Sequence, residues 1–123
     1  MKGPLALLIA LLALPAVSAE PDTAARTEIQ HLLKYLESSG CQFQRNGSWY
    51  APERAADHLN QKYEYLLKKG LVASAETFIE RAATQSSQSG KPYAVKCGDA
   101  APVASADWLR DELQRFRAKK KEN

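Results

Sequence analysis

The chain has 123 residues and carries 17 Lys and Arg against 14 Asp and Glu, which gives a formal charge of +3. This length suffices for one small domain and leaves no room for a second. Much of the positive charge lies in residues 115–121, a pattern typical of a solvated tail, so we expect no nucleic-acid partner.

The N-terminus has the pattern of a cleaved signal peptide. Lys2 precedes an apolar run over residues 5–14, Pro15 ends that run, and Val17-Ser18-Ala19 supplies a signal-peptidase site. The run is shorter than the roughly 20 apolar residues that a membrane-spanning helix needs, so an uncleaved anchor is the weaker alternative. We predict that residues 1–19 are a signal peptide cleaved after Ala19. Residues 20–123 then form a single helical domain with a basic C-terminal tail and no integral membrane segment.

The sequence contains two cysteines, Cys41 and Cys97. Small exported domains form disulfides readily, because their compartments are oxidising and their cores are small. The absence of a C-x-x-C pair leaves little support for redox catalysis. We therefore predict a Cys41–Cys97 disulfide that joins two non-helical stretches of the chain.

Four segments show the period of an amphipathic helix. In the first segment, apolar residues recur at i, i+4, i+7, i+8 and i+11, and Gly40 is suited to the left-handed conformation that closes a helix. The residues of that stripe are Ala25, Ile29, Leu32, Leu33 and Leu36. The predicted helix starts are Asp22 or Thr23, Pro52, Ser74 and Ser105.

Two stretches favour strands. Residues 41–44 alternate with period two, and Asn46-Gly47 predicts a two-residue hairpin turn before a return strand at 48–50. A third strand is predicted over Tyr93–Cys97, followed by a linker at 98–102. The expected fold is therefore a mainly α domain with a small antiparallel β-hairpin or three-stranded sheet (α+β), stapled by one disulfide.

The candidates for catalysis and metal binding are few. His31 and His58 have no partner at a metal-binding spacing, so we predict no metal ligand and no cofactor. A loop serine beside His58 could act as a nucleophile, since a catalytic triad is defined in space. No G-x-S-x-G or S-x-x-K pattern supports that alternative.

A binding surface is the remaining hypothesis for a site. A Cys41–Cys97 bond would bring the hairpin and the 86–93 loop together, and aromatic and cationic side chains there are typical of binding anchors. The predicted binding residues are Arg45, Asn46, Trp49, Ser87, Ser89, Lys91 and Tyr93. In the alternative, purely structural interpretation, Trp49 and Tyr93 cover the helices. Asn46-Gly47-Ser48 also fits a glycosylation acceptor, although a hairpin turn explains it equally well.

The sequence resembles the YfeK-like family of small bacterial periplasmic proteins, a family of unknown function. The resemblance covers nearly all of the chain between the leader and Cys97. The residues that carry it are Glu28-Ile29, Leu32-Leu33, Ser39-Gly40-Cys41-Gln42-Phe43, Arg45-Asn46-Gly47, Trp49-Tyr50, His58-Leu59, Lys62-Tyr63, Phe78-Ile79, Ala83-Thr84, Ser86-Ser87, Ser89-Gly90-Lys91-Pro92-Tyr93 and Cys97. It implies a bacterial, exported, periplasmic protein with a shared Cys41–Cys97 link, and it supplies no catalytic residue.

Together these patterns predict a non-enzymatic binding or interaction module whose partner is an envelope protein or a glycan. A narrower hypothesis is an inhibitor or immunity-like protein, because the loop Ser89-Gly90-Lys91-Pro92-Tyr93 looks like the Ser-Gly-x-x-Tyr loop of bacterial lysozyme inhibitors. The alternative from another class is a small periplasmic hydrolase that uses a loop serine with His58.

Overall fold

The structure is a computed structural model that describes residues 3–4, 6 and 19–122. Its elements are α1 (Thr23–Glu37), β1 (Gln42–Arg45), β2 (Ser48–Tyr50), α2 (Pro52–Lys68), α3 (Ala75–Ala82), β3 (Ala94–Lys96), β4 (Val103–Ala104) and α4 (Ser105–Glu122). The apolar run of the predicted signal peptide lies, apart from residue 6, outside the described residues. Among the helices described, none is long and apolar enough to cross a membrane.

Local chemistry explains three of the four helix starts. The Asp22 carboxylate accepts a hydrogen bond from the Ala25 amide at 2.8 Å, and Ser74 caps α3 in the same way. Pro52 occupies the first turn of α2, where its missing N–H costs nothing. The predicted cap at Ser105 is wrong. Its hydroxyl is buried without a hydrogen-bond partner in the described part of the chain, while its backbone amide donates to the Tyr93 carbonyl at 3.0 Å.

The strands form one antiparallel sheet in the order β2-β1-β3-β4. Asn46 and Gly47 have φ values of 52° and 82°, which the predicted two-residue turn requires. The hairpin and the third strand are confirmed, with β3 shorter than expected. The fourth strand, β4, was not predicted, because two residues are too few to show a period-two pattern.

One face of the sheet packs on the helices and the other is open. Phe43 pairs with Tyr50 on β2 and with Val95 on β3, so the register directs these residues to the helical side. Phe43 and Val95 are almost completely buried there. Gln44 and Trp49 pair on the open face. The α+β class is therefore confirmed, with the core between the sheet and the helices.

Two sets of contacts hold the periphery in place. The predicted disulfide between Cys41 and Cys97 is present beyond the Gln42–Lys96 pair of the β1–β3 ladder. Arg117 of α4 makes a two-pronged ion pair with Glu28 of α1, with distances of 2.7 and 2.9 Å, and also contacts Glu76 of α3. Arg117 in the basic C-terminal segment therefore links α4 to α1 and α3.

Candidate functional site

Four polar side chains meet at the edge of the core: Arg45, His58, Lys62 and Tyr93. Arg45 shares the inner face of β1 with Phe43 because side chains alternate along a strand. The β1–β3 register carries Tyr93 to the same place, one residue before β3. His58 and Lys62 are four residues apart on α2, so they lie on one face of that helix and reach the same point.

A hydrogen-bond network joins the four side chains. Arg45 Nη1 lies 3.0 Å from His58 Nδ1, and His58 Nε2 lies 3.2 Å from the Tyr93 hydroxyl oxygen. Lys62 Nζ donates to that same oxygen at 3.2 Å and to the Gln85 carbonyl at 3.1 Å. Arg45 Nη1 also lies 3.2 Å from His58 Nε2, so either ring nitrogen is within reach of the guanidinium group. The Tyr93 hydroxyl oxygen accepts from Lys62 and is also bonded to His58, so it joins the two side chains.

The environment of the network disfavours further positive charge. Burial lowers the pKa of His58, and the positive charges of Arg45 and Lys62 lower it further. The pKa of Lys62 is also lowered, by burial and by Arg45. Burial raises the pKa of Tyr93, while the Arg45 charge opposes that rise. His58 is therefore neutral at pH 7, and the charged forms of His58 and Lys62 are disfavoured at this site.

Three adjoining depressions surround His58, with volumes of about 310, 260 and 300 Å³. We call them together the His58 groove. Four cationic side chains line it: Arg45, Arg54, Lys62 and Arg81. In the described part of the chain none of these four cations forms a salt bridge, whereas Asp57 is the one carboxylate that lines the groove.

The structure places four of the seven predicted binding residues on this groove: Arg45, Asn46, Ser87 and Tyr93. Ser89 lies beside them, since its hydroxyl donates to the Asn46 side-chain oxygen and thereby ties the 86–91 loop to the hairpin turn. Trp49 lies on the open face of the sheet, where it is 37% exposed. Lys91 contributes its backbone to the loop, donating to the Ser89 hydroxyl and accepting from the Ser86 amide.

The contacts of the loop serines and of His58 do not form a nucleophile–base pair. The Ser86 hydroxyl accepts from the amides of Gln88 and Ser89, so it stabilises a turn. The partners of His58 are Arg45 and Tyr93, with no serine hydroxyl or carboxylate bonded to its ring in the described structure. The described residues also contain no group of three His, Cys, Asp or Glu side chains that could hold a metal ion.

Arg54, Lys62 and Arg81 were not predicted from the sequence. A signal for two of them was present, because Arg54, His58 and Lys62 stand at i, i+4 and i+8 on α2. That basic stripe runs directly beside the apolar stripe of the same helix. Arg81 had no such signal, since its place on the groove depends on the packing of α3 against α2.

Comparison with known proteins gives one match. The model of a family of unknown function (DUF5329) matches residues 23–117, so the chain belongs to that family. No curated protein and no solved structure matches significantly. Membership of a family of unknown function is thus confirmed, whereas the YfeK-like resemblance and a bacterial periplasmic origin stay predictions.

Proposed function

We propose that this family member is a non-enzymatic binding module that takes an acidic group of an envelope protein or glycan into the His58 groove. The observation that carries the proposal is the convergence of Arg45, Arg54, Lys62 and Arg81 on the groove, without a carboxylate partner among the described residues. A concave surface lined by one sign of charge focuses its field and attracts ions of the opposite sign.

The protonation of the site supports an anionic ligand. An acidic group beside His58 and Lys62 would favour their charged forms and raise both pKa values, which burial and neighbouring cations now lower. We therefore expect the protein to take up protons when the ligand binds.

Two other hypotheses have less support. A hydrolase with a loop serine and His58 lacks the hydrogen bond between nucleophile and base that such chemistry uses. An inhibitor loop that inserts Tyr93 into a partner would need that side chain at the surface, and Tyr93 is only 1% exposed. The acidic-ligand hypothesis does not require Tyr93 to leave its buried position.

We also propose export to the periplasm with cleavage after Ala19. The Ala19 amide donates to the Gly70 carbonyl at 3.0 Å, and cleavage would remove this bond. The buried Pro21 and the α1 cap at Asp22 would remain. A folded mature chain beginning at residue 20 is therefore expected, and the intact mass of protein recovered from the periplasm tests the cleavage position.

The binding proposal is tested by titrating ¹⁵N-labelled mature protein with two acidic probes, a hexaglutamate peptide and trigalacturonate, at low salt. We expect at least one probe to shift the amide signals of residues 45–62 and 86–93, with an affinity that falls as salt is added. Lys62→Gln should weaken binding about tenfold, since a hydrogen bond from a charged donor contributes roughly 1.5–3 kcal/mol.

Lys68→Gln is the matched control, because Lys68 is an exposed lysine on the same helix and does not line the groove. It should leave the affinity unchanged. If neither probe binds, or if Lys68→Gln weakens binding as much as Lys62→Gln, the proposal is wrong. Chemical conversion of a bound probe would instead support an enzyme.

A further inference from the structure

The His58 groove has cations on both sides of the histidine. On one side, the Arg45 and Arg54 guanidinium carbons lie 5.0 and 5.3 Å from the centroid of the Tyr50 ring. We call this depression, of about 310 Å³, the Tyr50 lobe. On the other side, Lys62 and Arg81 line a depression of about 260 Å³, the Tyr65 lobe. His58 and Gln61 line both lobes and so lie between them.

The arrangement calls for a ligand with more than one acidic group. Four cations in a single pocket could serve one anion, but here Arg54 lines only the Tyr50 lobe and Arg81 only the Tyr65 lobe. Arg45 and Lys62 lie nearer the middle, since both also line the third depression beside His58. Each lobe is small, since one lies just above and the other just below the lower end of the roughly 300–1,000 Å³ found for small-molecule pockets. A ligand that reaches both Arg54 and Arg81 must therefore be extended and must cross His58.

The neutral groups around the cations fit a sugar better than a peptide anchor. Gln61 and Ser87 offer an amide and a hydroxyl for hydrogen bonds to ligand hydroxyl groups. The Tyr65 side chain lies in the lobe that bears its name and is 59% exposed, so its ring can cover the C–H face of a sugar. A protein partner usually inserts an aromatic or aliphatic anchor into a well-packed pocket. Leu66 is the one aliphatic residue that lines the Tyr65 lobe.

We propose that the His58 groove binds an acidic glycan whose successive sugar units carry carboxylates, with one carboxylate in each lobe. The inference rests on the proposed function, because it names the ligand class of the same groove. Arg45 and Arg54 hold the carboxylate in the Tyr50 lobe, and Lys62 and Arg81 hold the other. The sugar between them spans His58 and Gln61.

The experiment measures the affinities of four probes by titration calorimetry at low salt: trigalacturonate, galacturonate monomer, neutral maltotriose and hexaglutamate. We expect trigalacturonate to bind at least tenfold more tightly than the monomer, and maltotriose to show no measurable binding. Arg54→Gln and Arg81→Gln each remove one cation from one lobe, so each should weaken the affinity for trigalacturonate about tenfold. The affinity for the monomer should fall in only one of the two variants.

Arg110→Gln is the control, because Arg110 is an exposed arginine on α4 paired with Asp107, away from the groove. It should bind trigalacturonate like the wild type. If hexaglutamate binds in the groove and trigalacturonate does not, the glycan inference is wrong while the proposed function stands. If trigalacturonate binds no more tightly than the monomer, the two-lobe geometry is wrong. If none of the acidic probes binds, both proposals fail.

Discussion

Removing the Cys41–Cys97 disulfide should strongly destabilise the domain while leaving the His58 groove in place. The bond closes a loop of 56 sequence steps. Constraining a loop of that length in the unfolded chain contributes about 4 kcal/mol on the chain-entropy model. For a domain of about 100 residues, each kcal/mol corresponds to about 4 °C or more, so the melting temperature should fall by about 15 °C.

The groove should survive this loss because its residues lie at the opposite end of the β1–β3 ladder. The disulfide follows the Gln42–Lys96 pair, whereas Arg45 and Tyr93 come after the Gln44–Ala94 pair. Three pairs of residues therefore continue to hold the two strands between the missing bond and the site. A variant that folds at low temperature should keep its affinity for an acidic probe.

The assay is differential scanning calorimetry of the Cys41→Ala/Cys97→Ala variant beside the wild type, with and without reductant. Reduced wild type should melt close to the variant, and reductant should not change the variant itself. Probe affinity is measured well below both transitions. If the melting temperature decreases by less than about 5 °C, the loop-entropy argument is wrong for this chain. If the folded variant no longer binds the probe, the groove depends on the disulfide and the argument that the two are independent is wrong.

Two further predictions concern the network around Tyr93. Tyr93→Phe keeps the ring contact with Phe43, whose ring centroid is 5.0 Å away, but removes the hydroxyl that joins His58 and Lys62. The free energy of unfolding, measured by urea denaturation, should fall by about 1 kcal/mol. Unchanged stability would show that the hydroxyl network contributes nothing. For His58, the folded pKa is lower than the unfolded value, so the unfolded chain binds its proton first as pH falls and stability is lost below about pH 6.5. His58→Gln should remove that part of the decline, and an identical pH dependence of the melting temperature in both proteins would contradict the assignment.

Protonation of His58 should affect ligand affinity in the opposite direction to stability. A proton on His58 adds a positive charge to the groove, so an acidic probe should bind more tightly as pH falls through the lowered His58 pKa. Acid therefore weakens the fold and strengthens the site. This opposition is expected wherever a buried base serves an anionic ligand.

Much of the fold is visible in the sequence because its signals are local. The cap at Asp22, the proline at Pro52, the Ser74 cap and the Asn46-Gly47 turn each depend on atoms within a few residues. Periodicity then gives the buried face of each element. Two cysteines in a chain expected to be exported leave one pairing within the chain, so the disulfide followed from composition.

Closeness in sequence is a poor guide to which side chains share a surface when the residues lie on or beside strands. Arg45 and Trp49 are close in sequence and were assigned to one surface, but the hairpin register sends them to opposite faces of the sheet. Tyr93 and Lys91 are likewise neighbours in a loop, yet Tyr93 is buried and Lys91 is exposed. Side-chain alternation in the hairpin separates Arg45 from Trp49, whereas Lys91 differs from Tyr93 because Lys91 lies in the exposed loop and Tyr93 directly precedes β3.

The helices, the hairpin, the disulfide and the presence of cationic and aromatic groups around the loops all follow from local sequence patterns and composition. Which of these groups share a site depends on how the folded elements pack. Arg45 from a strand, Lys62 from α2 and Arg81 from α3 converge because the sheet packs across the helices, and no local pattern encodes that packing. Electrostatic potentials sum through space, so the positive field of the His58 groove exists only after the chain has folded.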